Sequence, residues 1–165
     1  MSTPRRPAPR SRLAPIRAIG RPSACPRTQR KLPLLGMAVV ERQEIRVLLA
    51  DDDRVFLDAL RELIDRQPEL GVVGLAANGL EAIEQADELD PDAVVIDVHM
   101  PLLDGVTAVA HLRQHHPTLC VIALTGDEAP KLHEAVKEAG ADGVLMKSEL
   151  VDVLVERLAG LRPSG

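Results

Sequence analysis

An α/β fold, a doubly wound sheet of five parallel strands flanked by five helices, is what the sequence predicts, and three observations carry it. From Ile45 onward, apolar runs of strand length alternate with segments of helical period. The runs are short and mostly lack polar alternation, as parallel strands covered on both faces do. The residues able to do chemistry, Asp51, Asp52, Asp97, Thr125 and Lys147, all fall at the carboxyl ends of those runs, where open α/β sheets hold their ligands.

The first strand spans residues 45–50 and runs into Asp51-Asp52-Asp53. In the helix that follows, Val55, Leu57, Leu60, Leu63 and Ile64 fall near one face, Asp53 can cap the amino end, and Gln67-Pro68 closes it. A second strand at 72–76 leads through Asn78-Gly79 into a helix at 80–89, which stops before Pro91. The third strand, 93–96, ends at Asp97, and its helix, 106–115, stops before Pro117. The fourth strand, 119–124, is followed by Thr125 and a helix at 131–139 that stops at Gly140. The fifth, 143–146, ends at Lys147 and precedes a last helix at 151–161. Five such units in about 120 residues imply right-handed crossovers within one sheet.

The chain has 165 residues, 45% hydrophobic, enough for one compact domain and too little for two ordinary ones. Its net charge of −5 hides two opposite segments. Residues 1–36 carry nine bases and no acid, which leaves 11 of the 20 bases with all 25 acids, a net of −14. Such a body repels nucleic-acid phosphates, and with Phe56 as the sole aromatic residue it has no platform for stacking bases. Cys25 and Cys120 suggest neither a disulfide framework nor metal-ligand spacing, which fits a reducing cytoplasm. No apolar run reaches the length of about 18 residues that a membrane span needs.

Seven of the 13 prolines lie in residues 1–36 among the arginines, with no helical or strand period. Composition marks residues 1–44 as a disordered tail preceding a domain at 45–162. An organelle transit peptide is a competing reading of the Arg-rich start; translation beginning at Met37 is a third, favoured by the abrupt change in composition.

Carboxylates at the ends of buried strands are costly unless paired, and two such groups on neighbouring strands call for a divalent cation. Taken singly each residue has a plainer reading: Asp53 as a helix cap, Lys147 as a solvated loop lysine, Thr125 as a turn residue. His111 and His115, at i and i+4, could bind metal but lack a third ligand on their helix, so a solvated helix face is the expectation.

Four motifs, in order and spacing, cover the patterned region: Leu49-Ala50-Asp51-Asp52-Asp53; Val95-Ile96-Asp97-Val98-His99-Met100-Pro101 with Leu103-Asp104-Gly105; Ala123-Leu124-Thr125-Gly126; and Leu145-Met146-Lys147. In these, residues 45–161 resemble the receiver domain of two-component response regulators. The resemblance implies a flavodoxin-like sheet of order 2-1-3-4-5, with Asp97 as the acceptor of a phosphoryl group from a histidine kinase or phosphotransfer protein. It also implies a Mg²⁺ cofactor held by Asp52 and Asp97, by the backbone carbonyl of His99, and by Asp51 through water. Thr125 and Lys147 would meet the phosphoryl oxygens, and His99, Gly126 and Asp127 occupy positions that tune its hydrolysis. The implied protein is cytoplasmic, signals by phosphorylation-dependent contact with a downstream protein target, with a homodimer as one form of contact, and is not a turnover enzyme.

Two departures stand out. Val144 occupies the place, three before Lys147, where receivers often carry an aromatic ring, and Ser148 follows Lys147 where many have proline. Ser148 and the stretch 74–79 resemble receivers that precede a LuxR-type DNA-binding domain. A single-domain regulator with no direct DNA binding is therefore the first expectation, and the receiver half of a truncated or split transcriptional regulator the alternative. A phosphohydrolase is disfavoured, because no carboxylate stands two residues after Asp97 and no Gly-rich phosphate loop occurs.

Overall fold

The computed structural model describes residues 44–161; the predicted tail up to residue 43, with the alternative start at Met37, lies outside them. Five strands, β1 (Ile45–Ala50), β2 (Leu70–Ala76), β3 (Ala93–Asp97), β4 (Cys120–Thr125) and β5 (Gly143–Met146), pair in parallel in the order β2-β1-β3-β4-β5. The five helices are α1 (Arg54–Asp65), α2 (Gly79–Leu89), α3 (Gly105–His115), α4 (Pro130–Glu138) and α5 (Leu150–Ala159). Among the described residues no helix is long and apolar enough to cross a membrane.

Alternation along the strands divides the core between the two faces of the sheet. Val47, Leu49, Val95, Ile122 and Leu145 point to one face, where α1 supplies Leu57, Leu60 and Ile64 and α5 supplies Leu154 and Leu158. Leu48, Val94, Ile96 and Val121 point to the other, against Ala82 and Ala86 of α2 and Ala108, Val109 and Leu112 of α3. A small third cluster, Val98, Ala123 and Val136, seats α4. β3 is central and every one of its residues is buried, as expected of a strand with helices on both sides.

Three details differ from the sequence reading. Val55 is 79% exposed and does not belong to the buried stripe of α1, because 57, 60 and 64 set the helical phase and residue 55 lies on the far side of it. β2 starts two residues early at Leu70, whose pairing with Ile45 continues through Gly71, a residue that carries no apolar signal. Between β5 and α5 the chain makes a 3₁₀ turn, Lys147–Glu149.

Candidate functional site

β1 and β3 pair from Val47 with Ala93 to Ala50 with Ile96, so the residues that follow, Asp51 and Asp97, emerge side by side. Carboxylate oxygens of Asp51, Asp52 and Asp97 lie within 4.8 Å of one another, the only such group of three or more metal-ligating side chains among the described residues. Asp51 and Asp97 are almost fully buried and Asp52 is exposed. The end of α3 closes against this point: a Cβ on Gly105 would collide with the Asp97 carbonyl oxygen and the Val98 backbone, so only glycine allows the helix to start so near the acidic strand.

Lys147 closes the site from β5. Its Nζ lies 2.6 Å from Asp51 Oδ2 and 3.3 Å from Asp97 Oδ2. Asp51 Oδ1 accepts a hydrogen bond from the Asp53 N–H at 2.9 Å, whereas Oδ2 has no partner that meets the directional criteria of a hydrogen bond. The short Nζ contact therefore binds Oδ2 chiefly as an ion pair. Asp53 itself is a helix cap, accepting from the N–H groups of Val55 and Phe56 at 2.9 and 3.2 Å.

Three carboxylates and one ammonium leave the cluster with a formal charge near −2, and its titration reflects this. Burial, then the neighbouring Asp51 charge, push the Asp97 carboxyl above its ordinary 3.8; Lys147 and a hydrogen bond from the His99 backbone only partly oppose them. Burial pulls Lys147 down, but its close contact with Asp51 and the charges of Asp97 and Asp51 outweigh that and hold it above 10.5.

Thr125 ends β4 and is fully buried. Its hydroxyl donates to the Asp127 carbonyl at 3.2 Å and accepts from the Asp127 N–H at 3.0 Å, so it is engaged by its own loop. Gly126 is open, with no atom within 4 Å of where a Cβ would stand, and Asp127 and His99 are exposed. Val144 packs sideways against the α4 cluster. His111 and His115 stack their rings at 4.0 Å, and His115 Nδ1 donates to the His111 carbonyl; neither joins a metal-ligating group of three among the described residues.

Two neighbours of the site carry no motif in the sequence. His133 of α4 donates from Nε2 to the Asp127 carbonyl at 3.0 Å, the same oxygen that Thr125 uses. The Phe56 ring centroid lies 4.6 Å from Lys147 Nζ. A lone aromatic residue near the acidic run was the only available signal for the second contact.

Residues 47–159 match the family model for the response regulator receiver domain. A protein-glutamate methylesterase/protein-glutamine glutaminase of Carboxydothermus hydrogenoformans is 36% identical over 118 residues, which are 70% of this chain and 33% of that protein. The chain thus spans about a third of that curated relative, and 29% of the Thermotoga maritima methylesterase. The crystal structure of the response regulator domain of Thermotoga maritima CheB superposes with a TM-score of 0.66 at 32% identity, covering 70% of this chain and 94% of that one. The signal receiver domain of the putative response regulator NarL from Mycobacterium tuberculosis gives 0.65 at 25% identity, covering 72% and 98%. With the β2-β1-β3-β4-β5 sheet and the acidic cluster at its carboxyl edge, the match over most of the folded region means that this chain belongs to the response regulator receiver domain family.

Proposed function

We propose that this chain accepts a phosphoryl group on Asp97 from a histidine kinase or phosphotransfer protein and signals through protein contacts that depend on it. The observation that carries the reading is the placement of one partly buried ammonium, Lys147, between Asp51 and Asp97 in a cluster of three carboxylates. Asp97 is the nucleophile: a carboxylate oxygen forms the new O–P bond as the N–P bond of the donor phosphohistidine breaks. The donor set, hard carboxylate oxygens with a net negative charge, fits Mg²⁺. Asp52 and Asp97 would hold it directly, Asp51 through water, and the His99 carbonyl would complete the protein's share. When bound, Mg²⁺ supplies the positive charge that lets an anionic phosphoryl group enter and shields its oxygens during transfer.

The protein's own residues do the rest. Lys147 exchanges a carboxylate partner for a phosphoryl oxygen as a compact point charge, and Thr125 releases the Asp127 backbone to donate its hydroxyl to another. Exposed Gly126, Asp127 and His99 leave a path for water, so the acyl phosphate has a finite lifetime. The chain turns over no substrate in this reading. A second reading, as the input module of a longer or split effector, rests on the curated relatives, in which the matching region is about a third of the protein. No sequence-specific DNA binding is expected of residues 45–161, whose surface is acidic.

Acetyl phosphate with Mg²⁺ should add one phosphate per chain, read by intact mass. Asp97→Asn and excess EDTA should each abolish the uptake; equal uptake by the variant would refute the assignment of Asp97.

A further inference from the structure

Phe56 is the only aromatic side chain in 165 residues, and it is not part of the stripe that seats α1. Leu57, Leu60 and Ile64 make that stripe, while Phe56 is only partly buried beside it. With Leu60, Leu63, Lys147 and Leu150 it lines a groove of about 270 Å³ between α1 and the start of α5. The centroid lies 4.6 Å from Lys147 Nζ, inside the range at which a ring face attracts a cation. The ammonium is thus flanked by Asp51 at 2.6 Å, by Asp97 at 3.3 Å and by the ring.

These partners differ in what phosphorylation does to them. Asp51 and Asp97 are the groups that a divalent cation and the phosphoryl group would engage, so the ammonium must trade contacts with them during the reaction. Among the described residues the ring meets no other cation, and it needs no proton or counter-ion. A lysine on a four-carbon stem at the end of a strand, with a side chain 27% exposed, could otherwise swing into solvent once its carboxylates are occupied. We infer that Phe56 is a positioning residue for Lys147, a cation–π seat that keeps the ammonium at the mouth of the pocket while its anionic partners change. The inference rests on the phosphoacceptor reading of Asp97 and adds to it a residue from α1 that touches neither the metal ligands' carboxylates nor the phosphoryl group.

The test is a double-mutant cycle on the full chain, read by beryllofluoride binding in saturating Mg²⁺. Phe56→Leu keeps apolar bulk and removes the ring face, and should weaken beryllofluoride binding by about threefold to fivefold; Phe56→Tyr should restore it. In a Lys147→Ala background Phe56→Leu should have no further effect, because its partner is gone. The contact is also read without any phosphoryl mimic: ring current should shift the Lys147 ε-methylene protons upfield in the wild type, and Phe56→Leu should return them to ordinary lysine positions. Unshifted ε-protons, or an equal loss from Phe56→Leu with and without Lys147, would overturn the assignment. A wild type with the upfield shift that binds no beryllofluoride would instead overturn the phosphoacceptor reading on which it rests.

Discussion

Asp51, Asp52 and Asp97 stand at the ends of β1 and β3, while Thr125 and Lys147 lead out of β4 and β5, and the two halves of this one pocket are held very differently. The helices around the acidic half each start on a side-chain cap: Asp53 for α1, Asn78 for α2 and Asp104 for α3. Helix α4, the 3₁₀ turn and α5 start at Ala129, Met146 and Glu149 with no such bond. The packing sets one element apart. Two large apolar clusters back the whole sheet and take in β4, β5 and α5 as well as β1 and β3, whereas α4 buries Val136 alone and rests on a cluster of three buried residues. The acids are therefore preorganised, and Thr125, Gly126 and Asp127 belong to the part of the fold with least to lose by moving. A bound phosphoryl group can shift such an element only through contacts that differ between its two states, and Thr125, now bonded to the Asp127 backbone, has such a contact to change.

The largest effect that separates the halves should be on the metal. Asp52→Ala should weaken Mg²⁺ binding by at least about tenfold, while Lys147→Ala should leave it equal or tighter, since a competing positive charge has been removed. Calorimetric titration of both variants at one ionic strength checks this, and a similar loss in both would erase the distinction.

The acidic half should also reveal itself as a reservoir of repulsion. Asp97 is raised above 3.8 in the folded chain, so between that value and its folded value the native state binds more protons than the unfolded one. Stability of the metal-free protein should therefore fall as pH rises through that window. In EDTA at neutral pH, Asp97→Asn should be more stable than the wild type, and the difference should shrink on acidification or on adding Mg²⁺. Urea unfolding across pH reads it, and a wild type that gains stability over the same window would contradict the sign.

Capping gives the smallest effects. Asp104→Ala should cost about 1 kcal/mol by removing the acceptor for the Thr107 N–H. Ala129→Asp should stabilise by up to about 1 kcal/mol by supplying α4 with the cap it lacks. If the two changes had the same sign, the contrast in capping would not be a contrast in energy.

The acidic half was also the more legible in the sequence. β3 is an unbroken apolar run and β1 is interrupted only by Arg46, each with acids at its end, so their position and burial could be read from pattern and from the family motifs. Asp53, one place beyond the acidic pair, reads as a helix cap in the sequence and is one: its carboxylate turns back to the Val55 N–H. Val55 was misplaced because a stripe read from five apolar residues tolerates one that is out of phase. In the other half, Thr125 and Lys147 were found by motif, but the engagement of the Thr125 hydroxyl, the His133 contact and the Phe56 seat were not. Each joins residues through loop geometry or between elements far apart in sequence, where periodicity carries no information. The 3₁₀ turn was missed for the related reason that three residues hold no period.

Amide hydrogen exchange in Mg²⁺, with and without beryllofluoride, tests the account most directly when run on the wild type beside Asp97→Asn. In the wild type, protection should change through residues 126–150, with His133 and the Asp127 loop among the first to respond, while α1, α2 and α3 away from the pocket keep their rates. Asp97→Asn should show no change. Changes confined to the carboxylate cluster, or the same changes in Asp97→Asn, would contradict the view that a rigid acidic half receives the phosphoryl group and a lightly held half reports it.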